Sequence, residues 1–144
     1  MNWTALTLEQ LNAASLLGVV ESMRTQAEAQ GLPDPFAVVV PQVVDELRAC
    51  IGFTRPAALD QDAAKLPRGL VPLALKKVVR EMKLALGTAL TDDEAREAKV
   101  YEDRLALIRR GEWPIEPADT PVVIPASPAA PVGGFFGSQE VVRL

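Results

Sequence analysis

Few side chains in this sequence are suited to bond-making chemistry. The chain has no histidine and a single cysteine, Cys50. Without imidazole there is no Ser-His or Cys-His pair to activate a nucleophile, and no imidazole metal site. Cys50 falls on the apolar stripe of a predicted helix and reads as a small core hydrophobe. Acidic neighbours occur at Asp45-Glu46, Asp92-Asp93 and Glu102-Asp103. Adjacent residues on a helix point in different directions, so each pair reads as a solvated face rather than an acid/base couple. There is no glycine-rich phosphate loop. These residues point away from an enzyme, and no cofactor or metal is expected.

Two other groups of residues suggest binding. Lys65, Arg68, Lys76, Lys77, Arg80 and Lys83 place six positive charges within nineteen residues, opposed only by Glu81. Lys76, Arg80 and Lys83 share one helical face. The plain reading is a solvated face offset by acids of a neighbouring helix. The functional reading is an electrostatic contact surface for an acidic protein ring or for DNA passing close by. Without interleaved aromatics, sequence-specific nucleic-acid reading is not expected. The second group lies near the C-terminus. Phe135 and Phe136, flanked by Gly133-Gly134 and Gly137, precede Val141-Val142-Arg143-Leu144. Phe135, Phe136, Val141, Val142 and Leu144 read as partner-docking anchors.

The elements that must position these residues centre on Pro67 to Gly111. Thr91-Asp92-Asp93-Glu94 is a capping box, and its acids suit the positive end of a helix dipole. Arg109-Arg110-Gly111 closes the same helix. Between them Ala98, Tyr101, Leu105 and Ile108 form one apolar stripe. Val71, Leu75, Val78, Met82 and Ala85 repeat in the same rhythm before Gly87. The two helices should pack antiparallel as an αα-hairpin.

Upstream, Met1 to Leu6 reads as a short extended lead. Thr7-Leu8-Glu9-Gln10 is a second capping box, opening a helix toward Gln30 with a break possible near Gly18. Asp34 can cap a third helix with Pro35 at its first position. Pro41 argues that this helix kinks or starts late; it should end near Ile51, with Val40, Val43, Leu47 and Cys50 inside. Gly52 to Leu66 reads as a long polar loop. After Gly111 the recurring prolines from Pro114 to Pro131 exclude helix and central strand, which predicts an extended, semi-rigid arm reaching outward.

The whole reads as an all-α fold. A small antiparallel bundle of about four helices occupies 1–111, and an extended Pro-rich tail occupies 112–144. Apolar residues at 49 % supply a core, and aromatics at 5 % leave Ala, Leu and Val to fill it. The net charge of −4 implies no partner by itself. One cysteine forbids an intrachain disulfide and fits a reducing compartment. No apolar run approaches the roughly 18 residues that span a bilayer, and the N-terminus does not read as a signal peptide. A soluble protein of the cytoplasm, with no membrane partner, is expected.

From Val43 to Pro117 the chain resembles the small helical neck proteins of tailed bacteriophages: head-tail connector, adaptor or head-completion proteins, nearest the Mu-like branch. Three stretches carry the likeness. They are Val43-Val44-Asp45-Glu46-Leu47-Arg48-Ala49-Cys50-Ile51-Gly52, Leu66-Pro67-Arg68-Gly69-Leu70-Val71-Pro72, and the run from Leu90-Thr91-Asp92-Asp93-Glu94 through Tyr101-Glu102-Asp103 to Trp113-Pro114-Ile115-Glu116. The resemblance implies a bundle that assembles with itself into a ring, often dodecameric, between the portal protein and the tail or stopper protein. It places the protein in the virion neck, and in the host cytoplasm during assembly, with non-specific contact to packaged DNA as a further implication. The alternative is a monomeric helical peptide-capture or chaperone-like module; a DNA-binding accessory protein is a third.

Overall fold

In the computed structural model, which describes residues 1–124, Leu11 and Val20 are both fully buried. On one continuous helix they would point about 180° apart. The chain therefore breaks, and the single helix expected from Leu8 to Gln30 is two. Helix α1 is Leu8–Ala13 and α2 is Leu17–Ala29. The break falls at Ser15, whose positive φ of 61° turns the chain, and not at Gly18, which lies inside α2. Val20, Met23 and Ala27 face the core from α2, while Val19 is exposed. The capping box forms as predicted, with the Gln10 amide donating to Thr7 Oγ1 and Gln10 Oε1 accepting from the Thr7 amide.

Helix α3 spans Pro35–Thr54. Asp34 caps it, accepting from the Phe36 amide at 3.0 Å, with Pro35 at the first position. The expected late start is corrected: Pro41 sits inside the helix. Pro41 and Ala37, whose carbonyl loses its intrahelical donor, are both exposed, so water can supply the missing bond.

The expected hairpin is present. Helix α4 is Val71–Ala85 and α5 is Asp92–Arg109. Gly87, at φ 75°, lets the Thr88 amide close onto the Lys83 carbonyl. Thr91 and Glu94 exchange both capping-box bonds, at 3.2 and 2.9 Å. Removing the hydroxyl in Thr91→Ala should cost about 1 kcal/mol, read as a lower midpoint in thermal unfolding, while Thr91→Ser should cost only part of that. Pro67 lies outside the hairpin, in a strand, and a 3-10 turn at Arg68–Leu70 leads into α4.

That strand has a partner at the N-terminus. Strand β1, Trp3–Ala5, pairs antiparallel with β2, Lys65–Pro67, Trp3 lying opposite Pro67. The lead is extended, as expected, but it is paired, and Trp3 and Leu6 join the core. The presumed loop from Gly52 contains another 3-10 turn, Pro56–Ala58, and runs into β2. Arg48 organises it, donating to the carbonyls of Asp60, Asp62 and Lys65 at 2.7, 3.1 and 2.9 Å. Its guanidinium also stacks on the Trp3 ring.

α3 is the hub, packing against α2, α4 and α5. Leu47 and Ile51 on α3 meet Leu75, Val78 and Met82 of α4 and Tyr101 and Ile108 of α5 in a single apolar cluster. The fold is all-α apart from the two-stranded sheet.

The described residues beyond α5 do not reach outward as expected, and the rest of the expected arm, 125–144, lies outside the described residues. From Trp113 to Val122 they lie along the domain as a strap, with Trp113, Ile115 and Ala118 packed on the core. The prolines exclude helix, as predicted, but carboxylates and apolar side chains between them bind the segment back. Packing on the domain therefore continues past the expected boundary at Gly111.

Candidate interaction surfaces

Several side chains considered for chemistry have structural partners. Cys50 is buried between α3 and α5, and burial pushes its thiol up. Glu46 accepts from the Tyr101 hydroxyl at 2.6 Å, and burial, reinforced by that carboxylate, raises the phenol well above its usual range. Asp93 pairs with Arg96, and Asp103 with Lys99. Among the described residues no group of three or more acids and thiols is placed to hold a metal ion.

The six cations do not form one surface. Lys76 pairs with Glu97 at 3.1 Å, Lys83 with Glu94 at 2.6 Å and Lys77 with Glu81 at 3.1 Å. Glu94 is held below the usual carboxylate range, first by the Lys83 ammonium and then by the Thr91 amide. Arg80 is only 3 % exposed, which removes it from any open contact surface. It lies over Tyr101 with Lys77, and its Nη1 is 4.0 Å from Glu97. These four cations line a seam between α4 and α5, with Arg80 buried in it. Lys65 stands apart in β2, and Arg68 donates to the Met1 carbonyl at 2.7 Å. The expected anchors Phe135, Phe136, Val141, Val142 and Leu144 lie outside the described residues.

Sequence reasoning missed the strap clamp. Asp119 accepts from the Asn2 and Trp3 amides at 3.0 and 3.1 Å, and Trp3 Nε1 donates to the Glu116 carbonyl at 2.8 Å. Asp60, 1 % exposed, accepts from Asp62 and Thr120 amides at 2.9 and 3.0 Å. The Val122 amide donates to the Leu59 carbonyl, and the Gly69 amide to Glu116. Apart from the local Asp60–Asp62 bond, the partners are 47 to 117 residues apart in sequence, beyond the range of any local pattern. The one available signal was the pair of tryptophans, Trp3 and Trp113, in a chain poor in aromatics.

The amides hold both clamp carboxyls below their ordinary range, against the opposing effect of burial; Lys65 helps both and the N-terminal ammonium helps Asp119, while the Asp119 charge raises Asp60. A depressed carboxyl stabilises the strap above its unfolded pKa, near 4, and loses that contribution as pH falls through the lower folded value. Strap release is therefore expected on acidification below roughly pH 4, reported by Trp3 and Trp113 fluorescence. Asp60→Asn should weaken the strap at neutral pH and flatten the acid response.

Apolar side chains also surface at both ends of α3. At its start, Ala27, Leu32, Val38, Val39, Ala85 and Leu86 line a groove of about 170 Å³, and Leu32 and Val38 are each 45 % exposed. At its end Phe53 is 70 % exposed, with the Arg109 guanidinium 5.4 Å above its ring. Phe53 extends the α3 stripe one turn past the core, a signal present in the spacing from Cys50.

No helix among the described residues is long and apolar enough to cross a membrane. No family model, curated protein or solved structure matches the chain.

Proposed function

We propose that the chain is a structural subunit of a tailed-phage neck, forming a ring between the portal and the tail or stopper protein. The observation that supports this reading is the continuity of Val43 to Pro117. The stretches carrying the resemblance fold as one unit: α3, the loop pinned by Arg48, the α4–α5 hairpin and the strap. In this proposal α3 to α5 form the ring wall, and residues 125–144, with Phe135, Phe136, Val141, Val142 and Leu144, dock on a neighbour or on the portal, for example by strand addition. DNA contact is the weaker part, because Lys76, Lys77 and Lys83 are paired with acids and Arg80 is buried. The proposal assigns no catalytic step, metal or cofactor.

A second reading has its own observation. The apolar groove between α2, α3 and α4 suits a monomeric peptide-capture module. Mixing the protein with portal-bearing, DNA-filled heads that lack a neck separates the two: a ring beneath the portal supports the first reading, and a monomer that ignores the heads supports the second.

A further inference from the structure

Helices α3 and α5 run side by side in the same direction. The Tyr101 hydroxyl meets Glu46, the Arg109 guanidinium lies 5.4 Å from the Phe53 ring, and Thr54 lies against Gly111. Between the two helices lies a groove of about 420 Å³. Ala49 and Cys50 from α3 and Leu105 and Ala106 from α5 form its apolar middle, and both alanines are exposed.

The charges along this groove are sorted. Glu46 and Glu102 line one end, Arg109 and Arg110 line the other, and all four are exposed. Arg110 is engaged by Glu112, and one oxygen of Glu46 by the Tyr101 hydroxyl. Glu102 and Arg109 form no ion pair among the described residues. They are seven residues apart, which is roughly two turns and about 10 Å of rise, so they stand on one face of α5. The midpoint between them falls at Leu105 and Ala106, and the midpoint between Glu46 and Phe53 falls at Ala49 and Cys50. The apolar residues are thus the centre of the charge pattern on both helices.

A surface that reads acid, small apolar centre, base is complementary to its own reverse. A second copy rotated by half a revolution about that centre sets Glu102 against Arg109 at both ends. It also brings the exposed Phe53 ring to the aliphatic stem of Glu46. Ala49 and Ala106 raise no side chain large enough to hold the two helix pairs apart. One surface supplies both halves of the match, so its occupant is a second copy of the same chain.

We infer that the chain pairs with itself through the α3–α5 groove, in an isologous contact whose two-fold axis passes beside Ala106. The apolar middle forms the dry centre of the contact, and the two Glu102–Arg109 pairs fix its antiparallel orientation. An isologous contact closes at two copies. It therefore pairs subunits without building a ring wall, and it stands independently of the neck reading.

Sedimentation of the full chain tests this pairing. At low salt the wild type is expected to be in monomer–dimer equilibrium, shifting toward monomer in high salt. Glu102→Arg and Arg109→Glu alter exposed positions. Each alone sets like charges face to face at both ends, which should weaken pairing roughly a hundredfold. Mixed in equal amounts the two variants should recover a heterodimer, because at both ends opposite charges then meet. Ala106→Arg sets a cation against its own copy at the axis and should give monomer with both charge pairs intact. Circular dichroism checks that each variant keeps the wild-type helical signal. A wild type that stays monomeric at low salt overturns the inference. So does a mixture that associates no better than its two components, or a dimer that Ala106→Arg leaves intact. The neck reading fails separately. Rings on heads from a protein that is monomeric in solution would sink this pairing alone. A charge-dependent dimer that leaves the heads bare would uphold the pairing and sink the neck reading.

Discussion

Trp3→Ala is expected to destabilise the domain by about 3–5 kcal/mol, the range for removing a fully buried large aromatic. On a domain of this size that lowers the unfolding midpoint by on the order of 10–20 °C. The effect should be large because one side chain serves three elements. Trp3 is 0 % exposed, its ring carries the Arg48 guanidinium, and its Nε1 donates to the Glu116 carbonyl. Its removal leaves a cavity, an unstacked arginine and an orphaned carbonyl at the strap. Trp3→Phe separates these contributions. It keeps most of the apolar volume and loses the donor, so it should cost about 1 kcal/mol in hydrogen bonding plus a smaller packing loss. The expected signature in hydrogen exchange is faster exchange at the Gly69, Thr120 and Val122 amides in both variants, with the core helices deprotected only in Trp3→Ala. Equal protection of those three amides in Trp3→Ala and wild type would mean that Trp3 does not hold the strap.

Arg48→Met should be the second large loss, about 2–4 kcal/mol, because hydrogen bonds from a charged donor are each worth more than neutral ones. The guanidinium ties the carbonyls of Asp60, Asp62 and Lys65, the segment between α3 and β2. Met preserves the aliphatic stem and helix propensity, so the cost reports the lost donors and the lost stacking on Trp3 rather than a hole. Loosening this segment also moves Asp60, the anchor of Thr120, so the variant should release the strap at a higher pH than wild type. Arg48→Lys supplies charge without the planar fork and should recover only a minor part. Full recovery by lysine would show that charge alone holds the loop.

The parts of the fold legible in the sequence were those governed by neighbours a few residues apart. Thr91 with Glu94, Thr7 with Gln10, Asp34 with Pro35 and the glycines at 87 and 111 marked helix ends through short-range hydrogen bonds and backbone geometry. The α4–α5 hairpin followed from two apolar stripes and a short turn. The break at Ser15 was also available, since Leu11 and Val20 cannot both be buried on one continuous helix. What was hidden depends on long-range partners. Nothing near Trp3 announces Pro67 or Glu116, and nothing near Asp60 announces Thr120. The strap was read as an outward arm because its prolines forbid helix, a constraint on shape that leaves its location open. For the basic cluster, the antiparallel hairpin brings Lys76 to Glu97 and Lys83 to Glu94, so an internal seam could have been read from the spacing. The burial of Arg80 against Tyr101 could not.

The proposed ring at the phage neck would be visible by electron microscopy. Purified protein is mixed with portal-bearing, DNA-filled heads lacking a neck, and the particles are imaged. The expected image is a closed ring of density directly beneath the portal, its wall fitting α3 to α5, with DNA retained in the head. Heads that stay bare while the protein remains a folded monomer would contradict it and leave the apolar groove as a peptide-capture site.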